Sequence, residues 1–186
     1  MIGAGLSAGQ TRRQLRPTGI IDKLVRPIVL ALLLAWLGAG CATPDPRELL
    51  ELEGLETYWA IDASAGNTQY LAPVARFHLK NRGPEPLKHV QATATFKRRG
   101  DEGKAWGSDF LQVTAAGKQL APGQRVLVVL KSDARYASAG SPESMFSHQL
   151  FKDARVEVFL RVGASSWAKL AEAEVERRIG TRSLAP

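Results

Sequence analysis

The 186-residue chain contains a single cysteine, Cys41, and only three histidines. One cysteine excludes an intramolecular disulfide, and it excludes the multi-cysteine ligand sets of structural zinc sites. His78, His89 and His148 are far apart in sequence and have no cysteine or carboxylate at ligand spacing beside them. The sequence therefore predicts no metal and no cofactor, and the domain must be stabilised by packing.

Long apolar runs are also scarce, and the one that is present lies near the N-terminus. Residues 28–37 are ten consecutive apolar residues, with basic residues before them and the small residues 38–40 after them. This order is typical of a secretory signal peptide. A membrane-spanning helix is the alternative, but it needs about 20 apolar residues, and the charge-free stretch 27–44 approaches that length only by including two prolines and a threonine. We therefore predict a signal peptide over residues 1–40.

The segment before residue 24 has no hydrophobic periodicity and is long for the basic part of a signal peptide. We expect translation to start nearer Leu24 or Val25.

Cys41 ends the small-residue run, so its role decides where the protein works. A lone cysteine is ordinarily a small buried hydrophobe, but Pro44 and Pro46 follow at once and leave it no core to enter. The segment "LGAGC", Leu37 to Cys41, resembles the lipobox of bacterial lipoprotein precursors, although Gly38 stands where that motif usually has an aliphatic residue. The resemblance implies cleavage between Gly40 and Cys41, a thioether-linked diacylglycerol on Cys41 and an acylated amino end.

The same resemblance implies a location. In Gram-negative species an aspartate after the lipidated cysteine favours inner-membrane retention, whereas this chain has Ala42. The implied place is the inner leaflet of the outer membrane, facing the periplasm. Each buried methylene of an acyl chain contributes about 0.8 kcal/mol, so several chains anchor firmly. We expect residues 41–47 to be the lipidated N-terminus and its tether.

The net charge of +7 comes partly from the leader. From Cys41 onward there are 20 basic and 17 acidic residues, a net charge of +3. Nucleic-acid binding requires a concentrated basic face with stacking aromatics. The densest basic run, Phe96 to Lys104, is interrupted by Asp101 and Glu102 and is predicted to be a hairpin loop. No nucleic-acid partner is predicted.

Apolar and polar residues alternate from Leu50 onward, which indicates half-buried strands. The inward set shifts by one residue at Gly54, which predicts a β-bulge. The strands of "YLAPVARFHLKNRG" and "LKHVQATATFKRR" are predicted to be neighbours, and the nearly continuous apolar run "RVLVVLKS" predicts burial on both faces. The last run, "SWAKLAEAEVERRI", fits a strand better than a helix, because a helix would scatter charge over its apolar stripe.

One short helix is predicted at "SPESMFSHQLF", with Ser141 as N-cap and Pro142 at the first position. About seven strands with turn signals between them predict an all-β fold, an antiparallel immunoglobulin-like β-sandwich over residues 48–180. Residues 181–186 are expected to be a flexible tail.

A second resemblance concerns turn residues. The segments "ARFHLKNRGPEPLKHVQATATF" and "LAPGQRVLVVL" are similar to FxLYD-type immunoglobulin-like domains of bacterial lipoproteins, which share an "N-x-G/S…P-L" turn and a later "PG" turn. The matching positions are Asn81, Gly83, Pro86, Leu87, Pro122 and Gly123. The resemblance supports the fold and says little about activity.

Candidate interface residues lie in the helical segment, where Met145, Phe146, Leu150 and Phe151 supply apolar anchors. The alternative is that these side chains plug one end of the core. Trp59, Trp106 and Trp167 are predicted core anchors, and Trp106 is the one expected to be exposed and available for binding.

Two patterns resemble catalytic or metal sites weakly. Ser166 and Lys169 have the S-x-x-K spacing of serine β-lactam-binding enzymes, but no S-D-N or K-T-G companion exists, so we interpret the pattern as accidental. His78 and His89 could share a metal if they faced each other on adjacent strands, but solvent-facing positions explain both more simply.

The sequence thus predicts a non-enzymatic, lipid-anchored protein of the cell envelope. It would contact the membrane through Cys41 and bind an envelope protein partner or assist an assembly. The alternative is a small-ligand or cell-wall-binding module that uses exposed aromatics such as Trp106. A hydrolase, resting only on Ser166 and Lys169, is the third hypothesis.

Overall fold

The computed structural model describes residues 44–66, 68–101 and 103–180. The predicted signal peptide, the lipidation and cleavage residues Gly40 and Cys41, and the predicted tail lie outside these ranges. Within them, no helix has the length and apolar character needed to cross a membrane.

Strands dominate the described part of the chain. After a one-turn helix α1 (Pro46–Leu49) come β1 (Leu50–Ala65), β2 (Thr68–Asn81), β3 (Val90–Arg98), β4 (Gly107–Gln112), β5 (Arg125–Lys131), β6 (Tyr136–Ala139), a 3₁₀ helix (Pro142–Ser147), β7 (Ala154–Val162) and β8 (Ala168–Glu174). The all-β prediction is confirmed. The described residues contain eight strands rather than about seven, because β6 forms in a stretch that the sequence predicts to be a loop.

The strands form two four-stranded sheets in which every pair is antiparallel. The first has the order β1-β2-β5, with β6 also pairing with β2; the second has the order β4-β3-β7-β8. The inner faces of both sheets contribute to one hydrophobic core, whose largest fully buried side chains are Trp59, Phe77, Phe96, Leu71, Leu79, Leu130 and Leu160.

Alternation in the sequence accounts for most of this core. Along β3 and β7 every second side chain is buried, as a strand with one face on a core requires. In β1 the pairing register with β2 shifts between Glu53 and Glu56, and Gly54 has a positive φ of 63°. The predicted bulge at Gly54 is therefore confirmed, and it returns the apolar side chains beyond it to the inner face.

Two predictions are wrong, one about which strands are neighbours and one about the burial of β5. β2 and β3 are not adjacent, because residues 82–89 carry the chain from one sheet to the other. β5 is not buried on both faces: Val128 and Leu130 are buried, whereas Leu127, next to Val128, is 41% exposed. β5 pairs on one side with β2 and has an outer face open to solvent, so its outward apolar residues have nothing to cover them.

The crossing between the sheets is organised by Asn81. Its side chain is completely buried, and its Nδ2 donates to the carbonyls of Glu85 (2.8 Å) and Leu120 (2.9 Å). Its Oδ1 accepts from Gly83 N (2.9 Å). Leu120 and Leu87 in turn exchange two backbone hydrogen bonds of 2.9 Å. The two turns on which the FxLYD resemblance rests therefore meet at one carboxamide.

The C-terminal segment closes the side where β1 faces β8. The final run is a strand over Ala168–Glu174, as predicted. Thr57 Oγ1 donates to the carbonyl of Glu174 (2.8 Å) and accepts from Glu176 N (3.1 Å). Trp59 then forms a parallel bridge with Ile179. These bonds attach the chain beyond β8 to the first sheet.

The strands of the two sheets begin and end at the same two ends of the domain. At one end, which we call the entry end, the chain enters β1 at Leu50, paired with Asn81, while Val90 pairs with Val162. At the other, the groove end, Arg98 pairs with Ala154 and Leu71 pairs with Tyr136. A nine-residue strand such as β7 separates the ends by about 27 Å at about 3.3 Å per residue.

Replacing Asn81 tests the crossing. Asn81→Ala should lower the free energy of unfolding by about 2 to 3 kcal/mol, because it removes the Nδ2 donor to the Glu85 and Leu120 carbonyls and the Oδ1 acceptor of Gly83 N. Urea denaturation measures this. Arg82→Ala is the control, since that side chain is exposed; equal losses in both variants would contradict the role of the carboxamide.

Ion pairs across the second sheet predict a dependence of stability on pH. The hydrogen bond from Lys97 and then that from Lys169 lower the pKa of Glu157 below its ordinary value of 4.5. The N···O distances are 2.5 Å and 3.0 Å. A lowered folded-state pKa stabilises the fold above the unfolded-state pKa, and this stabilisation is lost as the pH falls through the folded-state value.

The free energy of unfolding should therefore decline below about pH 4.5, and more weakly in Glu157→Gln. We expect that variant to lose about 1 kcal/mol at pH 7. Urea melts at several pH values measure both effects, with Glu85→Gln, at an exposed position, as the matched control. If the free energy of unfolding of Glu157→Gln declines below about pH 4.5 as steeply as that of the wild type, Glu157 is not the source of the dependence.

Candidate functional site

A cluster of five aromatic side chains fills the groove end of the core. Trp59 is completely buried at its centre. The rings of Phe151, Tyr136, Trp106 and Phe146 surround it at centroid distances of 5.4, 5.7, 6.2 and 6.4 Å. We call these five residues the aromatic plug. Tilted and edge-on rings at such distances attract one another beyond their burial.

The 3₁₀ helix supplies part of this plug. The predicted helix is present, but Ser141 does not cap it with its side chain. Instead, the Ser141 carbonyl accepts from Ser144 Oγ (2.6 Å) and from Ser138 Oγ (3.2 Å). Met145, on the inward side of this helix, is 4% exposed. The segment therefore packs onto the domain and is not a free loop.

The structure divides the predicted interface residues into two kinds. Met145 is buried, and Phe146, Phe151 and Trp106 are half-buried within or against the core. Leu150 is 71% exposed. The alternative that these side chains plug one end of the core holds for all of them except Leu150.

The two tryptophan predictions at the sheet ends are wrong. Trp106 is not exposed, because its ring lies 4.9 Å from that of Tyr136, and the Arg98 guanidinium lies 5.6 Å from its centroid. Trp167 is not a core anchor, because β8 begins one residue later and Trp167 falls in the preceding turn. It is 38% exposed and stands beside Phe110, which is 54% exposed.

A groove of about 600 Å³ opens beside the plug. Its size and mixed lining are those of ligand- or peptide-binding clefts. The apolar lining comes from Met145, Leu150 and Phe151, and polar groups come from β3, β6 and the residues before β7. The lining residues are Arg98, Tyr136, Ala137, Ser138, Ala139, Ser144, Met145, His148, Leu150, Phe151 and Lys152.

A three-membered charge cluster forms one wall of the groove. Asp101 accepts from Lys152 Nζ (2.6 Å) and pairs with Arg98 Nη2 (2.6 Å). The hydrogen bond from Lys152, and then that from Arg98, lower the pKa of Asp101. With two cations around one carboxylate, the wall has a net positive charge. It is suited to an acidic group next to an apolar one.

The remaining candidates form no site. His78 lies on β2 and His89 precedes β3, so they belong to different sheets and do not face each other. No group of three or more metal-ligating side chains occurs in the described ranges. Lys169 is held by Glu172 and Glu157, which raise its pKa, so it is protonated and unsuited to act as a base for Ser166.

Sequence reasoning missed the polar half of the groove. Arg98 and Asp101 were assigned only to a hairpin loop, and Tyr136 and Lys152 flank the predicted helix without any motif. Their approach depends on the pairing of β3 with β7 and of β2 with β6. The one available signal is that Arg98 and Lys152 stand next to the ends of predicted strands, whereas Tyr136 lies in a predicted connection.

Comparison with known proteins gives structural likenesses only. No family model matches the sequence, and no curated protein matches it. A Northeast Structural Genomics Consortium target is 9% identical, with a TM-score of 0.38, over 76% of this chain and 93% of that one. A protein from Archaeoglobus fulgidus is 12% identical, with a TM-score of 0.36, over 67% and 95%. The ApaA protein of Bordetella pertussis is 13% identical, with a TM-score of 0.34, over 68% and 91%.

The contrast between the buried Met145 and the exposed Leu150 is testable by truncating each side chain. Met145→Ala should lower the free energy of unfolding by about 2 to 4 kcal/mol, because it leaves a cavity in the hydrophobic core to which Met145 belongs. Leu150→Ala should change it by less than about 0.5 kcal/mol, because that side chain is exposed. Urea denaturation of both variants decides the matter, and equal losses would show that Leu150 is part of the core.

Proposed function

We propose that this chain is a lipid-anchored, non-enzymatic binding module of the bacterial cell envelope, attached at the outer membrane and facing the periplasm. Its scaffold is an immunoglobulin-like sandwich, and its binding site for an envelope protein is the groove beside the aromatic plug. The lipobox resemblance of Leu37 to Cys41 supports the anchor.

The strand order supports the immunoglobulin-like assignment. In that fold the first, second, fourth and fifth strands share one sheet, and the third, sixth and seventh share the other. Here β1, β2 and β5 share one sheet, and β3, β7 and β8 share the other. β6 is an added strand on the edge of β2, and β4 pairs with β3.

The observation that carries the binding role is the exposed Leu150 at the mouth of a mixed apolar and cationic groove. Apolar anchors bind well where a rigid scaffold holds them beside polar groups. The plug supplies that rigidity, since Phe151, next to Leu150, packs on Trp59 and Tyr136. A partner segment with an apolar side chain next to a carboxylate fits this lining.

The position of the groove also suits an anchored protein. The chain enters the domain at Leu50, whereas the groove lies at the opposite end of the sheets, beside Arg98 and Ala154. A lipid on Cys41 would hold the entry end at the bilayer. The groove would then be open to the periplasm and accessible to a partner.

Site-specific photocrosslinking in the native envelope tests the proposal. A photoreactive amino acid at position 150 should capture a defined envelope protein. The same amino acid at position 127, which is also exposed but lies on β5, should not. Leu150→Asp should lower conventional cross-linking to that protein at least tenfold, and Leu127→Asp should not.

Two outcomes contradict separate parts of the proposal. Equal capture at positions 150 and 127 would contradict binding at the groove. If the intact mass of the wild-type protein shows no lipid on Cys41, the anchor is contradicted.

A further inference from the structure

The entry end carries the exposed Trp167, and the exposed Phe110 lies beside it on β4, opposite Thr93; no role described so far uses these two aromatic side chains. Their rings lie 6.4 Å apart and nearly perpendicular, at an interplanar angle of 78°. Leaving two large apolar side chains together on a surface forgoes the hydrophobic stabilisation of burying them. Such a pair indicates a surface that contacts a membrane or another molecule.

The aromatic pair is held in place by a relay of hydrogen bonds. The Arg161 guanidinium lies 4.9 Å from the centroid of the Trp167 ring. Arg161 donates to Gln91 Oε1, and Gln91 Nε2 donates to Gln112 Oε1 (2.8 Å). Gln112 Nε2 then donates to the backbone carbonyls of Val90 and Thr114, each at 3.1 Å. The ring is thus supported in its exposed position.

The start of the domain lies beside this ring. Pro44, Asp45, Pro46 and Arg47 line one cleft together with residues 164–168, which include Trp167. Only three peptide units separate Cys41 from Pro44, a span of about 10 Å at most. A lipid on Cys41 therefore brings Trp167 to the height of the lipid headgroups.

The same end presents cationic side chains. Lys88, His89 and Lys118 line a shallow cleft between the crossing loop and the turn before β5. All three are exposed. Each lysine or arginine near an anionic bilayer contributes about 1 kcal/mol of attraction. Tryptophan is enriched at membrane interfaces because its ring is apolar with one polar N–H.

We propose that the entry end docks on a bilayer surface containing anionic lipid, with Trp167 and Phe110 among the headgroups and Lys88 and Lys118 paired with lipid phosphates. This inference rests on the proposed lipidation of Cys41. Docking fixes the orientation of the domain with its entry end on the membrane, so that the groove faces the aqueous compartment and is held away from the bilayer surface.

Tryptophan quenching tests the docking. The mature lipidated protein, from Cys41 onward, is reconstituted into phosphatidylcholine vesicles with or without phosphatidylglycerol, and with a lipid that is brominated near the headgroup. Quenching should be clear in the wild type and in Trp106→Phe, and at least several-fold weaker in Trp167→Phe. It should also be stronger with phosphatidylglycerol, and Lys88→Glu combined with Lys118→Glu should abolish that difference.

The alternatives give different results. Equal quenching in Trp167→Phe and the wild type, with near-ultraviolet circular dichroism showing both folded, would overturn the docking. Quenching of Trp167 that weakens as the protein density in the vesicles rises would also overturn the docking, because a second copy of the chain would then cover Trp167 and Phe110. In both cases an intact mass showing lipid on Cys41 leaves the anchor and the proposed function standing, whereas a mass without lipid overturns the anchor itself.

Discussion

The buried carboxamide of Asn81 is the contact on which the arrangement of the two sheets depends. Three hydrogen bonds from one side chain join the end of β2, the crossing loop and the turn before β5. Backbone bonds extend the junction, since Asn81 N donates to Gln124 (3.1 Å) and Arg82 N donates to Leu49 (2.9 Å). A buried side chain that satisfies this many main-chain groups fixes its surroundings, because any other position leaves several of them unpaired.

The junction at Asn81 also determines which features share an end of the molecule. It gathers α1, the crossing loop and the start of β5 at the entry end, and the strands then carry the chain away from it. The aromatic plug forms where β1 and β6 meet the 3₁₀ helix and the residues just before β4 and β7. The separation between the exposed Trp167 and the groove is therefore a consequence of strand length and of one polar contact.

Much of the fold could be predicted from local pattern. Period-two alternation identified β1, β2, β3 and β7, and Gly54 marked the bulge, because both signals depend on neighbouring residues only. The sheet to which each strand belongs could not be predicted in the same way. A short connection between two strands is compatible with a hairpin or with a crossing, and here the buried Asn81 decides for the crossing.

The candidate site was less predictable for a related reason. Trp106 and Trp167 both stand next to a strand, one residue before β4 and β8 respectively. Alternation cannot say on which side such a residue will lie, because the turn breaks the period. Trp106 is drawn inward by contacts with Trp59 and Tyr136, which are distant in sequence. Arg98 and Lys152 reach one groove wall only through Asp101.

The distribution of aromatic rings sets the chemistry of the two ends apart. At the groove end the rings pack on one another, so the proposed binding surface there presents the exposed Leu150 beside a charged wall. At the entry end Trp167 and Phe110 contact each other and Arg161 but remain open. The rings of the plug surround the buried Trp59, whereas Trp167 and Phe110 lie on the outer surface and remain 38% and 54% exposed. The proposed function requires both arrangements, because it assigns membrane attachment to one end of the domain and partner binding to the other.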